Sequence, residues 1–482
     1  MANSSIFVIG LRNKEKMKLV LYFQNYIRKG FYTALFISIG ISIFSTQFVF
    51  GQNLIPNSES KGQKSINKKN FKFNPKPTYF ELPKDTFFLA QIMRSQPHKF
   101  SRILADTEHL EVQILYTQIN RDRFQIPHFV QYSYHLNPKY YFYPASTVKL
   151  PLVALALEKV NRMRKLGITK FTSFLIDSLN PKQSAENKDT SSQTGYPSIA
   201  QYIRRILLVS DNDAYNRLYE FLGPDYINQS LHKKGYTSAR IMHRFDVSDD
   251  SLSERQLNPW KFMKNQKVLW EQKGRLAEKA GPNEFENTLK GTGYIQYSGK
   301  DSVLIKKPFD FSNKNGISLE DEQNILKAIL FPNSVKPSHR FNLTSEDYLF
   351  LQRYLSMYPA ESKFPHYSKI HYPDNYCKFL GFGSDSAINI PSSIRIFNKV
   401  GLAYGFLIDN AYFVDFNHHV EFLLSVVINS NTDGIYNDDR YEYSNLGFPF
   451  MRNLGQTIYD FELKRSPKYS PKLEKFKLDY KL

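Results

Sequence analysis

The amino-acid sequence predicts an α+β protein, with helices grouped in the first half of its body and an antiparallel strand set in the second. Three observations carry this. Leu150–Val160 is apolar enough to form a helix buried almost all round. Ile199–Val209 and Ala214–Leu222 follow it with helical spacing. Ser393–Gly401, Tyr404–Phe416 and Val420–Ile428 are rich in Ile, Phe, Tyr and Val, with turn residues between them, as in a β-meander.

The elements can be taken in order. Arg12, Lys14, Lys16, Lys18, Arg28 and Lys29 precede an uncharged apolar run from Phe31 to Phe50. That is the pattern of an export signal, with small residues at Val49 and Gly51 for a cleavage that leaves Gln52 first. A run of about 20 apolar residues is also long enough to anchor a chain in a bilayer. Residues 1–51 are therefore expected to be a signal peptide or membrane anchor, which places the body in the periplasm or cell envelope. Residues 52–83, rich in Asn, Lys, Ser and Pro, read as a flexible linker.

The main domain is expected over residues 84–463. Lys84–His98 has helical spacing, Leu110–Tyr116 alternates as a strand, and Phe129–Tyr134 is its candidate partner. Pro151 falls in the first turns of the next helix, where a missing N–H is tolerated. Residues 180–196 form a polar loop. Residues 255–345, with lysine-rich loops and the helix Leu319–Leu330, read as an insertion, and Ser345–Tyr358 as a further helix. Asn445–Leu463 suits a closing amphipathic helix, and the basic tail 464–482 is expected to be mobile.

Length and charge narrow the function. The chain has 482 residues, 41% of them hydrophobic, so it can bury a large core. Its formal charge is +19, but residues 1–51 and 52–80 carry +5 each and residues 461–482 carry +4, leaving only +5 for residues 81–460. No nucleic-acid signature accompanies that charge, and nucleic acid is not an expected partner. Cys377 is the single cysteine, which excludes an intrachain disulfide and a cysteine metal cluster. The histidines show no ligand spacing, so neither a metal nor another cofactor is expected; His418-His419 read as a polar turn.

Three short motifs carry chemistry. Ser146 and Lys149 lie three residues apart at the start of the buried helix, so they share a face where the helix N-terminus adds positive potential. A serine hydroxyl needs such a neighbour to become a nucleophile. The same spacing recurs at Ser58/Lys61, Ser65/Lys68 and Ser230/Lys233, so it says little alone. Ser210-Asp211-Asn212 fills the turn between two helices, where a helix cap would account for it and still leave a hydroxyl free to face a cleft. Lys399-Val400-Gly401 ends the strand that opens the meander.

In this order and these settings the motifs resemble those of the class A β-lactamase and penicillin-recognising serine hydrolase family. The resemblance implies a two-lobe fold over residues 84–463 outside the insertion. One lobe is all-helical and carries Ser146 and Ser210; in the other, early and late strands join in one antiparallel sheet flanked by helices. The site would lie between them. Ser146 would be the nucleophile, Lys149 its activator, Ser210 a proton relay and Lys399 a positive charge for the substrate carboxylate. Asn212, Gly401 and Leu402 would contact substrate, with the N–H groups of Ser146 and Leu402 forming an oxyanion hole.

Two departures from the family pattern stand out. Class A members resemble one another in using a loop glutamate for deacylation, whereas His243-Arg244-Phe245-Asp246-Val247 offers Asp246, one methylene shorter. Asp249, Asp250 and Glu254 are alternative bases, and an Arg244–Asp246 ion pair is the plain structural reading of the loop. Val400 stands where the family has Thr or Ser, and a lost charge-assisted hydrogen bond is worth ~1.5–3 kcal/mol. The implied protein is a monomeric, exported serine hydrolase acting on a β-lactam or a related, peptidoglycan-like amide. A D-alanyl-D-alanine peptidase-like penicillin-binding enzyme and a non-catalytic envelope-binding relative are the alternatives.

Overall fold

The structure, a computed structural model, describes residues 87–480 apart from 180–182, 248–250, 279–280, 299–300 and 384–388. All of them lie in the second of the chain's two units, residues 75–482. The expected signal or anchor, the linker, Asp249 and Asp250 lie outside the described residues.

Two short helices open the body, α1 (Phe87–Arg94) and α2 (Pro97–Ala105). The single helical segment expected through His98 is interrupted because Pro97 lacks an N–H and starts a new helix at its first position. Strands β1 (Gln113–Arg121) and β2 (Pro127–Tyr134) follow. β1 begins later than its alternation suggested, since Glu111 adopts φ 46° and turns the chain. A 3-10 turn (Ala145–Val148) leads into α3 (Lys149–Arg162), of which Leu150 to Leu157 are all buried. After the short β3 (Phe174–Ile176) come α4 (Ile199–Val209), α5 (Asn212–Leu222) and α6 (Pro224–Lys233). α6 was not foreseen.

β4 (Trp260–Lys264) pairs with β3 and with β5 (Lys267–Gln272), and β6 (Gly293–Ser298) pairs with β7 (Asp301–Ile305). Helices α7 (Leu319–Leu330) and α8 (Ser345–Ser356) precede β8 (Ile394–Ala403), β9 (Phe406–Asp415) and β10 (Val420–Asn429), and α9 (Phe448–Lys464) follows them. The main sheet runs β8-β9-β10-β1-β2, antiparallel throughout, so early and late strands share it. Tyr404 and Gly405 close the β8–β9 hairpin with φ 55° and 83°, the two left-handed residues that a tight hairpin turn requires.

Helices cover both faces of this sheet. Phe397, Ile408 and Tyr412 join a core with residues of α3, α4, α5 and α7. Ile396, Val400, Leu407 and Ala411 join a second core with residues of α1, α2 and α9. Side chains alternate along a strand, so these cores lie on opposite faces. Two expectations are corrected. Leu319–Leu330, assigned to the insertion, is buried along nearly its whole length in the first core. The tail expected to be mobile is packed: Phe476 is fully buried, its ring 5.7 Å from Phe331, 5.5 Å from Phe397 and 5.0 Å from Tyr412. Four aromatic rings lose water together there, which outweighs the solvation of the flanking lysines.

Candidate active site

The serine turn is built under local strain and close packing. Ala145 adopts φ 47°, a conformation costly for any residue with a Cβ. Ser146 follows it, half-buried, in the turn that feeds α3. β8 lies directly against this turn. A Cβ on Gly401 would stand 2.5 Å from the Pro144 carbonyl oxygen and 3.2 Å from the Ser146 nitrogen, so only glycine permits this approach. Gly401 and the Ser146 backbone are therefore adjacent, and Leu402 follows Gly401 on the same strand.

Lys149 is fully buried at the start of α3. Its Nζ donates to the Ser210 carbonyl at 2.6 Å and to Asn212 Oδ1, and lies 3.4 Å from Ser210 Oγ. Among the described residues it makes no hydrogen bond to the Ser146 hydroxyl, so the direct contact expected from the spacing is absent. Lys399 approaches from β8, donating to Ser210 Oγ at 2.8 Å and to the Val400 carbonyl at 2.9 Å. Two lysine amines thus meet at one serine. Burial pushes the Lys149 amine well below its usual range, and the nearby Lys399 charge lowers it further. Burial brings Lys399 down to about 8.

The turn between α4 and α5 places Ser210. It caps α4 with φ 59°, and Asp211 caps α5 by accepting from the Ala214 N–H at 2.9 Å. Both readings of Ser-Asp-Asn hold at once, since Asp211 supplies the cap while Ser210 and Asn212 meet the lysines. Arg205 fixes Asp211 with hydrogen bonds of 3.1–3.2 Å.

Asn212 also joins this cluster to the 243–247 loop, where its Nδ2 donates to Asp246 Oδ2 at 2.6 Å. Helix α5 holds that loop by several bonds. Tyr219 donates to the Met242 carbonyl, and Asn216 exchanges two bonds with the Phe245 backbone at 2.7 and 2.8 Å. Lys149 Nζ lies 4.9 Å from the centre of the Phe245 ring, a cation–π distance. The expected Arg244–Asp246 pair does not form. Arg244 is buried and bonds Glu220 at 2.7 Å and Glu254 at 3.4 Å, because a buried guanidinium needs buried carboxylates. Glu254 is committed to that pair rather than poised as a base.

Val400 joins the apolar core on the far face of the sheet, so its side chain is turned from the face that carries Lys399. One group near the site escaped the sequence reading. Glu322 on α7 is buried against Thr147, the residue after Ser146, and its surroundings in a largely buried helix cannot be read from a sequence that looks like an acidic helix start.

Residues 99–316 match the model of the Beta-lactamase enzyme family. Among solved structures, the chain is similar to a β-lactamase from Burkholderia vietnamiensis, at 12% identity and TM-score 0.43, covering 81% of this chain and 100% of that one. It is also similar to a β-lactamase from Sphaerobacter thermophilus, at 12% identity and TM-score 0.40, covering 79% and 98%. A class A β-lactamase from Clostridium kluyveri shares 14% identity at TM-score 0.39, with 76% and 98% covered. No curated protein matches in sequence. The match over residues 99–316 makes this part of the chain similar to the β-lactamase enzyme family.

Proposed function

We propose that the protein is an exported serine hydrolase that opens a β-lactam or a related amide through an acyl-enzyme on Ser146. The observation that carries this reading is the convergence of Lys149, Lys399, Asn212 and Ser210 beside the serine turn. A nucleophilic serine needs a proton acceptor and an acylated amide needs a proton donor, and this cluster offers both.

In the proposed reaction, Ser146 Oγ attacks the carbonyl carbon and gives up its proton towards Lys149, whose lowered basicity keeps an unprotonated fraction available. The N–H groups of Ser146 and Leu402 receive the developing oxyanion. As the C–N bond breaks, the proton passes through Ser210 to the leaving nitrogen, while Lys399 offers its charge to Ser210 and to a substrate carboxylate. Water then attacks the ester, with Asp246 as its base. Asn212 holds the Asp246 carboxylate in a hydrogen-bonded line with Lys149, which supports that role.

A second reading rests on the same loop. Asp246 is one methylene shorter than glutamate and engaged by Asn212, so slow deacylation, as in a penicillin-binding peptidase, is the alternative outcome. Intact-protein mass spectrometry after penicillin treatment separates the two. Rapid return to the free mass supports the hydrolase, and an adduct lasting hours supports the peptidase. Absence of any adduct refutes both.

A further inference from the structure

Behind the serine turn, α7 presents a carboxyl group that the acylation scheme does not use. Glu322 is 3% exposed, its Oε1 meets the Thr147 hydroxyl, and its Oε2 has no hydrogen-bond partner among the described residues. The same Thr147 hydroxyl lies 2.7 Å from the Pro144 carbonyl oxygen, whose other lone pair accepts from the Thr147 N–H at 3.1 Å. A hydroxyl has one proton to give, and a carbonyl has none. If Thr147 satisfies Pro144, the proton between Thr147 and Glu322 must come from the carboxyl.

We propose that Glu322 is a positioning residue acting as a neutral acid: it donates to Thr147, freeing the threonine proton for Pro144 and so locking the turn that carries Ser146. The inference rests on the reading of Ser146 as nucleophile. The orphaned Oε2 agrees with it, because a buried carboxylate oxygen without a partner is far costlier than a buried neutral carbonyl oxygen. Burial pushes the Glu322 carboxyl up to about 8, against the opposing pull of the Thr147 bond and the Lys399 charge. Lys399 is the charge that acts on it from β8, while the turn presents Thr147 and β9 presents Asn410, whose side chain donates to the Glu322 carbonyl at 2.8 Å. With Glu322 neutral, the Lys399 charge stays available to Ser210 and substrate.

The test compares the full chain with Glu322→Gln and Glu322→Ala. The wild-type minus Glu322→Gln infrared difference spectrum at neutral pH is expected to show the C=O stretch of a protonated carboxyl. Glutamine keeps a donor to Thr147, so Glu322→Gln should be acylated by a fluorescent penicillin within about twofold of wild type, and Glu322→Ala about tenfold more slowly, as for one lost buried hydrogen bond. A carboxylate band in place of the carboxyl band, or Glu322→Gln slowed as much as Glu322→Ala, overturns the proposal. If wild type itself is not acylated, the nucleophile reading fails, and the infrared band still decides the protonation of Glu322. Should Glu322→Ala not fold, wild type and Glu322→Gln carry the comparison.

Discussion

At the scale of residues, the site is two buried lysine amines sharing one hydroxyl, an arrangement that costs stability. The folded-state pKa of Lys399 lies below its unfolded value, at about 8 against 10.5. Below pH 8 both states hold the proton and the buried charge is a full cost. Between the two values the unfolded state holds more protons, so stability rises with pH until the cost is gone. Replacing Lys399 with Met is therefore expected to stabilise the protein by ~1–3 kcal/mol at neutral pH in urea unfolding, and to remove that rise. The same variant should lose penicillin labelling by about a hundredfold or more, as for loss of a charge-assisted bond and an electrostatic partner. Unchanged stability with full labelling would show that Lys399 is neither strained nor used.

Asp246 is tested at the same scale. Extending it to glutamate restores the methylene, so Asp246→Glu should deacylate at least about tenfold faster if reach limits the step. The decay of a penicilloyl adduct followed by mass spectrometry reads this directly. Arg244 has a different job: Arg244→Ala strands the buried Glu220 and should cost ~3–5 kcal/mol in urea unfolding, with the loop lost rather than the chemistry alone.

At the scale of elements, the site depends on the β8 strand pressing on the serine turn. Gly401→Ala places a methyl group against the Pro144 carbonyl. It should cost ~1–3 kcal/mol and slow labelling by prising β8 from the turn. A drop in melting temperature with full labelling would show that the contact serves only the fold. The motif-bearing elements were legible in the sequence because each has a local cause. Ile199–Val209 and Leu319–Leu330 match their predicted bounds, as apolar periodicity and capping serines mark both. The three late strands shift by at most two residues, since turn residues fix them. Non-local partners were not legible. Nothing in His243–Val247 reveals that Arg244 would choose Glu220 and Glu254, or that Asp246 would be held by Asn212. Only the fold brings those acids together.

At the scale of the whole molecule, the continuous antiparallel sheet accounts for where the motifs meet: strands from both ends of the domain close one sheet, and its edge strand β8 lies against the serine turn. The C-terminal segment belongs to that body. Phe476→Ala should destabilise the chain by ~3–5 kcal/mol, seen as a lowered melting temperature, because it empties a fully buried aromatic site. A lysine-rich composition hid this, since two apolar side chains, Leu473 and Phe476, outweigh the charges around them only once the core they fill exists.

Ser146 is the proposed acylated nucleophile. The most direct measurement of that role is peptide mapping of the full-length protein after treatment with a penicillin, with Ser146→Ala in parallel. A penicilloyl mass is expected on the peptide containing Ser146 in the wild type and none in the variant. An adduct on another residue, or equal labelling of Ser146→Ala, would contradict it.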